Sequence, residues 1–403
     1  MRRRRSPCWR WPPPTEACAD RATIADTMTG LPLAGIKVLE LAQNLAGPFA
    51  GETLARLGAD VVKVERPDGG DDARGWGPPF LAGVGSGFHS VNAGKRSITL
   101  DLKNASDVAW LKQYVSGVDI VLQNMRPGSL EELGLGAEAL RALNPRLIYC
   151  SLSAFGPVGP LKDRPGYEPM MQAFAGLFWV SGTEGAPPFR IGVPTLDVGS
   201  GMWAVIGILA ALLRRAQTGL GGVVDTSLFE TALAWNAGQF ASYRISGEVP
   251  RRHPTGSVRL VPFEGFQTQT GMIVIAAAND RLFATLARTL EHPEWAGDPR
   301  FRTNADRHQN KEILLADIEG VLKTRPATEW LERLEEAGIP CAPINTLKDV
   351  LAEPQTAACG MIQKVPGLDM DVMGLPLRFD GERPPLPGGT PALGEHNTAI
   401  KGG

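Results

Sequence analysis

The sequence predicts an α/β protein, its first half a parallel sheet wound with helices on both sides, with a second, smaller domain at about 250–330. Three observations predict it. Short apolar β-type runs alternate with helical runs through residues 35–156. Glycine and proline stops fall where one run hands over to the next. From Arg190 onward the alternation gives way to clustered helices and one strand pair.

Taken in order, "GIKVLELAQ" (35–43) is a short β-type apolar run. "GPFAGETLARLGAD" (47–60) has apolar residues at helical spacing and a stop at Gly58, and "DVVKVERP" (60–67) is a second strand ended by proline. Strand, helix and strand within about thirty residues make a βαβ unit, which requires parallel pairing. "DVAWLKQYVSGVDIVLQN" (107–124) and "GAEALRALNPRLIYCSLSAFG" (136–156) repeat helix into strand, the latter broken at Asn144-Pro145. A long apolar helix follows at about 200–215, then a turn, a short strand and another helix in "TGLGGVVDTSLFETALAWNAGQF". "VPFEGFQTQTGMIVIAAAN" (261–279) reads as a strand pair turning at Thr270-Gly271. Helices are expected in "DRLFATLARTL", "KEILLADIEGVLKT" and "ATEWLERLEEAG", then a strand and helix in "IPCAPINTLKDVL".

Bulk properties narrow the function classes. The 403 residues carry 43 acidic and 41 basic side chains, without the cationic excess of a nucleic-acid binder. The apolar run from Val198 to Leu213 is shorter than the roughly 20 residues of a membrane span, so it reads as a buried core helix. Five cysteines at 8, 18, 150, 341 and 359 show no metal-ligand spacing, and a reducing cytoplasm is the expected compartment. Residues 1–30 stack arginines and prolines with no apolar period or h-region, and read as a disordered extension with Met28 as an alternative start.

Several residues invite chemistry. "GLGAEA" (134–139) and "GSGMWA" (199–204) imitate a dinucleotide fingerprint, but one lacks a preceding strand and the other follows Pro194 and a carboxylate. Asp197 stands at the head of the long apolar helix. An acid there caps orphan N–H groups, or, partly desolvated beside backbone amides, serves as a nucleophile. Composition alone leaves both open. Glu168 suits the first turn of another helix. Lys63, Arg66, Lys95, Arg96 and Lys103 gather around strand ends, where they are either solvated surface or a seat for an anionic nucleotide tail.

In order along residues 31–400, "GIKVLELAQNLAGPFAGETLARLGADVVKVERPDGGDDARGW", "KRSITLDLK", "DIVLQNMRPGSLEELGLG", "LNPRLIYCSLSAFGPVGP", "LDVGSGMWAVIGILAAL", "TGLGGVVDTSLFE", "AGIPCAPINTLKDV" and "GEHN" resemble the family III CoA-transferases of the CaiB/BaiF type. The resemblance implies a Rossmann-like large domain over 31–230, a linker and small α+β domain over 231–335, a return to the large domain over 336–403, and an interlocked homodimer. It implies that Asp197 attacks an acyl-CoA thioester, with coenzyme A and a free carboxylic acid as substrates and no metal. Gly199 and Gly201 would then let backbone approach the reacting carbonyl.

Matching positions imply CoA contacts at Asn44, Leu45, Arg66, Leu100, Lys103, Asn124, Met125, Tyr167 and Glu168, with methionine at 125 where the family has phenylalanine. Asn44 and Leu45 stand where the formyl-CoA transferases have Val-Gln, and "HPTGSVRLVPFEG" replaces their tetraglycine loop. Formate and oxalate are therefore not the expected pair. Phe174, Phe178 and Trp179 point toward short or branched carboxylic or dicarboxylic acids. The family's racemase branch needs a histidine where this chain has Tyr167, a poor proton shuttle at neutral pH. That branch and an inactive CoA-binding member are the alternatives.

Overall fold

The computed structural model describes residues 30–257 and 259–402. The expected disordered extension lies, over 1–29, outside the described residues, as do Cys8 and Cys18. In chain order the large sheet and its helices are β1 (Lys37–Leu41), α1 (Ala46–Arg56), β2 (Asp60–Glu65), β3 (Arg96–Thr99), α2 (Ala105–Val115), β4 (Ile120–Gln123), α3 (Ala137–Leu143), β5 (Ile148–Ser153), α4 (Glu168–Phe174), α5 (Thr195–Thr218), β6 (Gly222–Ser227), α6 (Leu228–Trp235) and α7 (Ala237–Ser246). The six strands lie in the order β3-β2-β1-β4-β5-β6, every pair parallel. This is the Rossmann order.

The strands read as apolar runs because both faces are covered. Val61, Ile120 and Ile148 pack with Leu54 of α1 and Ile208 of α5. Their neighbours Val62, Val121 and Tyr149 point the other way, onto Leu111 of α2 and Leu140 of α3. Burying one such aliphatic side chain contributes about 1.5–3 kcal/mol. The free edge of β3 is covered by the carboxy-terminal stretch, where Ser97 O accepts from His396 N–H (2.9 Å) and Asn397 Oδ1 accepts from Thr99 N–H (2.9 Å).

Helix α5 departs from expectation in three ways. It begins at Thr195, with Pro194 at the N-cap and no side-chain cap, so Asp197 sits inside the first turn. Its 24 residues make it long and apolar enough, by length and composition, to cross a membrane; in the fold it packs on α1, α6, β5 and β6. It is also not buried all round: Ala204, Val205, Ile208 and Ala211 face the core, while Met202, Trp203, Ile206 and Leu213 are exposed in the single chain.

The two glycines near Asp197 are required by packing. A Cβ at Gly199 would fall 2.2 Å from Trp235 Cζ2, and one at Gly201 would fall 2.7 Å from Phe49 Cδ1 and 2.8 Å from Ala46 O. Gly201→Ala should therefore push α5 off α1 and cost about 1–3 kcal/mol, measured as a shift of the urea midpoint. An unchanged midpoint would show the contact to be slack.

The smaller unit holds β7 (Phe263–Gln267), β8 (Met272–Ala276), α8 (Asp280–Thr289), α9 (Lys311–Leu322), α10 (Ala327–Glu336) and β9 (Cys341–Pro343). Its antiparallel sheet runs β9-β8-β7, and Phe266, Ile275, Phe283, Phe301, Ile318 and Trp330 fill its core. β9 pairs antiparallel with β8, so the smaller sheet extends to Pro343.

Candidate active site

In this strand order the chain leaves β1 and β4 in opposite directions, which opens a crevice beyond their carboxyl ends. A cleft of about 650 Å³ lies there. Asn44 and Leu45 after β1, Asn124 and Met125 after β4, Tyr167 and Glu168 at the start of α4, and Asp197 in the first turn of α5 all line it. A larger cavity of about 870 Å³, beside Arg251, Arg259 and Lys311, contains none of the candidate catalytic or CoA-contact residues.

The loop after β1 is held in a costly shape. Asn44 adopts φ +69°, in the left-handed region that non-glycine residues avoid. Its N–H donates to Asp71 Oδ1 (3.0 Å). The Asn124 side chain clamps the preceding residue, accepting from Gln43 N–H (2.8 Å) and donating to Gln43 O (2.8 Å). Asn124 thus ties the β1 and β4 loops together.

Below this loop lies a buried ion network. Lys63 Nζ meets Glu40 Oε1 (3.0 Å), Asp71 Oδ2 (2.9 Å) and Ala42 O (2.6 Å), and Lys95 Nζ meets Glu40 Oε2 (2.8 Å). All four charged side chains are fully buried. Lys63 and Lys95 are therefore not a seat for a nucleotide tail, because their charges are spent internally. Arg96 is paired with Asp60 at the opposite, amino-terminal end of the strands.

Three other positions do not line the cleft. Arg66 follows β2, half-exposed, and contacts Asp72 and Asp68 O. Leu100 is buried and belongs to the core against α2. Lys103 lines a separate groove with Val108, Lys112 and Leu133. Phe174, Phe178 and Trp179 also fall outside the lining: Phe174 packs edge-on against Phe155 and Phe229, and Trp179 lies under Arg252.

Glu168 is buried, with its carboxylate accepting from the Gln172 side-chain amide and from Arg190 Nη2 (3.2 Å). Gln172 also spans to Ile191, accepting from its N–H (3.0 Å) and donating to its carbonyl (3.3 Å). Asp197 is partly buried and has no hydrogen-bond partner among the described residues. It is not a cap. Burial, and then the Glu168 charge, push its carboxyl up to about 7, while Arg190 draws it down. Arg126, Arg164 and Arg190 line the same cleft and were not singled out from sequence. Arg126 lies inside a family block, but Arg190 lies in irregular chain with no period to mark it.

An ionised Asp197 is required of a nucleophile, so kcat/KM for the acyl donor should rise from pH 5 to 8 with a midpoint near 7. Stability runs the opposite way. A carboxyl raised on folding contributes stability that is full below its unfolded value near 4 and is lost as pH rises through about 7. Asp197→Asn should remove that loss. A flat rate profile across this window, or an unchanged pH dependence of unfolding in the variant, would contradict the assignment.

Among the described residues no group of three or more His, Cys, Asp or Glu side chains is placed to hold a metal ion. The family model for CoA-transferase family III matches residues 33–397. The human succinyl-CoA:glutarate CoA-transferase is 35% identical over 92% of this chain and 85% of its own length. The acetyl-CoA:oxalate CoA-transferase of Acetobacter aceti is 37% identical over 92% of this chain and 95% of its own. A crystal structure of a CaiB/BaiF family protein from Brucella suis superposes with a TM-score of 0.83 at 39% identity, covering 92% of this chain and 98% of that one. With its parallel sheet, its cleft and these relatives, the chain is an enzyme of CoA transfer and belongs to CoA-transferase family III.

Proposed function

We propose that this protein moves CoA from succinyl-CoA or a similar acyl-CoA to a small dicarboxylic acid through covalent intermediates on Asp197. The observation that carries this reading is an unpartnered carboxylate facing a cleft at the sheet's switch point. Named relatives that act on glutarate and oxalate support the acceptor class.

The steps balance without outside energy. An Asp197 oxygen attacks the thioester carbonyl, the C–S bond breaks, and an anhydride forms as CoA thiolate leaves. The thiolate attacks the aspartyl carbonyl and expels the donor acid as its carboxylate, leaving an aspartyl-CoA thioester. The acceptor carboxylate attacks that carbonyl and expels thiolate. The thiolate then attacks the acceptor's acyl carbon, forming the new acyl-CoA and restoring Asp197. Each exchange passes through an oxyanion, and Ala46, the first residue of α1, lies in the cleft wall with a backbone N–H that the helix leaves without an intrahelical partner. For the racemase alternative, Tyr167 is the residue in the histidine position, and no histidine lines the cleft.

Incubation with succinyl-CoA, followed by intact-protein mass, should reveal an enzyme-CoA adduct that hydroxylamine removes. Absence of an adduct together with absence of transfer to glutarate, oxalate or mesaconate would overturn the reading. Exposed Met202, Trp203 and Ile206 on α5, with Trp235, Phe240 and Ile245 on α6 and α7, support an interlocked homodimer as the working state. The free Cys150, Cys341 and Cys359 support a reducing cytoplasm.

A further inference from the structure

We propose that Arg190 reads the second carboxylate of the dicarboxylic substrate, holding Glu168 with one edge of its guanidinium and the substrate with the other. The inference rests on the CoA-transfer reading above and assigns its selectivity to one side chain.

Arg190 lines the cleft with Asp197. Among the three arginines there, it is the one whose charge acts on Asp197; the other charge acting on that carboxyl is Glu168. Arg164 instead leans toward the Phe155 ring, 5.9 Å from its centroid. An acid attacking the Asp197 carbonyl brings its far carboxylate into this same small space, where a cation near Asp197 can meet it.

The guanidinium has donors to spare. Its protein contact is a single one, Nη2 to Glu168 Oε2 at 3.2 Å, and Nε and Nη1 have no partner among the described residues. The side chain is 45% exposed whereas Glu168 is 2% exposed. Of the pair, Arg190 is the member that meets solvent and substrate.

The surroundings keep that edge aimed. Gln172 fixes Glu168 from one side and both backbone groups of Ile191 from the other, pinning the chain next to Arg190. A planar fork held by a buried acid suits bidentate carboxylate recognition. A monocarboxylic acid offers it nothing.

The test compares glutarate with pentanoate, which replaces the far carboxylate by methyl, using succinyl-CoA as fixed donor. In a double-displacement scheme kcat/KM for the acceptor reports only the second half-reaction, so effects on the donor cancel. Arg190→Met should lower the glutarate-to-pentanoate ratio by about 10- to 100-fold. Arg190→Lys, which keeps the charge without the fork, should fall between. Arg190→Gln, retaining a donor for Glu168, gives the same readout if the methionine variant fails to fold. A ratio within twofold of the parent, or equal losses for both acids, would overturn the assignment. If the CoA adduct still forms, only the role of Arg190 falls; if the parent enzyme forms no adduct and transfers nothing, both readings fall.

Discussion

Asp197→Ala should lower kcat for CoA exchange by about 10⁴-fold or more, with no aspartyl-CoA adduct in the intact-protein mass. The size follows from the chemistry. Every bond made or broken in the proposed cycle involves the Asp197 carboxyl or an acyl group attached to it, and no neighbouring side chain can take over. Glu168 is the nearest substitute by charge, but it is 2% exposed and tied to Gln172 and Arg190. The usual objection to such a variant is damage to the fold, and here the electrostatics answer it. Asp197 has no hydrogen bond to lose, and its ionisation is disfavoured by burial and by Glu168. Removing it relieves a cost at neutral pH, so the variant should unfold at an equal or higher urea concentration above pH 7. Asp197→Asn should behave alike, because an amide has neither the charge nor the leaving behaviour the cycle needs. Exchange at the parental rate in either variant would refute covalent catalysis at this residue.

Much of the architecture was legible because its signals are local. The run 37–41, the amphipathic run 46–56 and the run 60–65 each announce their type, and short connections force the parallel pairing. The expectation that Asp197 is the reactive acid came from the resemblance of the block around it; as an isolated acid its commoner role was a helix cap. Helix α5 starts at Thr195, five residues before the expected start at about 200, with Gly199 and Gly201 inside it. In the fold they are tolerated since Trp235, Phe49 and Ala46 occupy the space a side chain would need. The burial of Lys63 was not legible at all. Along the chain it is one cation at the end of an apolar strand; its partner Glu40 is set opposite it only by the register of β1 and β2. Arg190 depends likewise on a meeting of α4 with irregular chain, and residue spacing carries no trace of that.

Lys63→Met is the substitution with the largest expected loss of stability, about 3–5 kcal/mol, because it leaves the buried Asp71 carboxylate without its cation and Glu40 with Lys95 alone. Burial alone would depress the Lys63 ammonium; Glu40 and Asp71 outweigh it and hold the group above its ordinary value. Such a raised lysine contributes stability that is fully present below about 10.5 and is lost as pH climbs past its folded value, so the deficit should be complete at pH 7. The effect should also travel to the cleft. Asp71 is shared: one oxygen takes Lys63, the other takes the N–H groups of Ala73 (3.0 Å) and Asn44 (3.0 Å). With no ammonium beside it, Asp71 has less to fix its orientation, and the left-handed turn at Asn44 then has less to hold it. A variant that still folds should therefore show a higher KM for the acyl-CoA, with the pH dependence of kcat/KM near 7 preserved because Asp197 stands on a different element. Lys63→Met combined with Asp71→Asn should recover part of the loss, since the carboxylate stranded by the first change is neutralised by the second while Glu40 keeps Lys95. Urea unfolding of the parent, both single variants and the double variant gives the coupling directly. A coupling near zero, or a single-variant loss below about 1 kcal/mol, would mean that water reaches this network and that the loop is held by the Asn124 clamp alone.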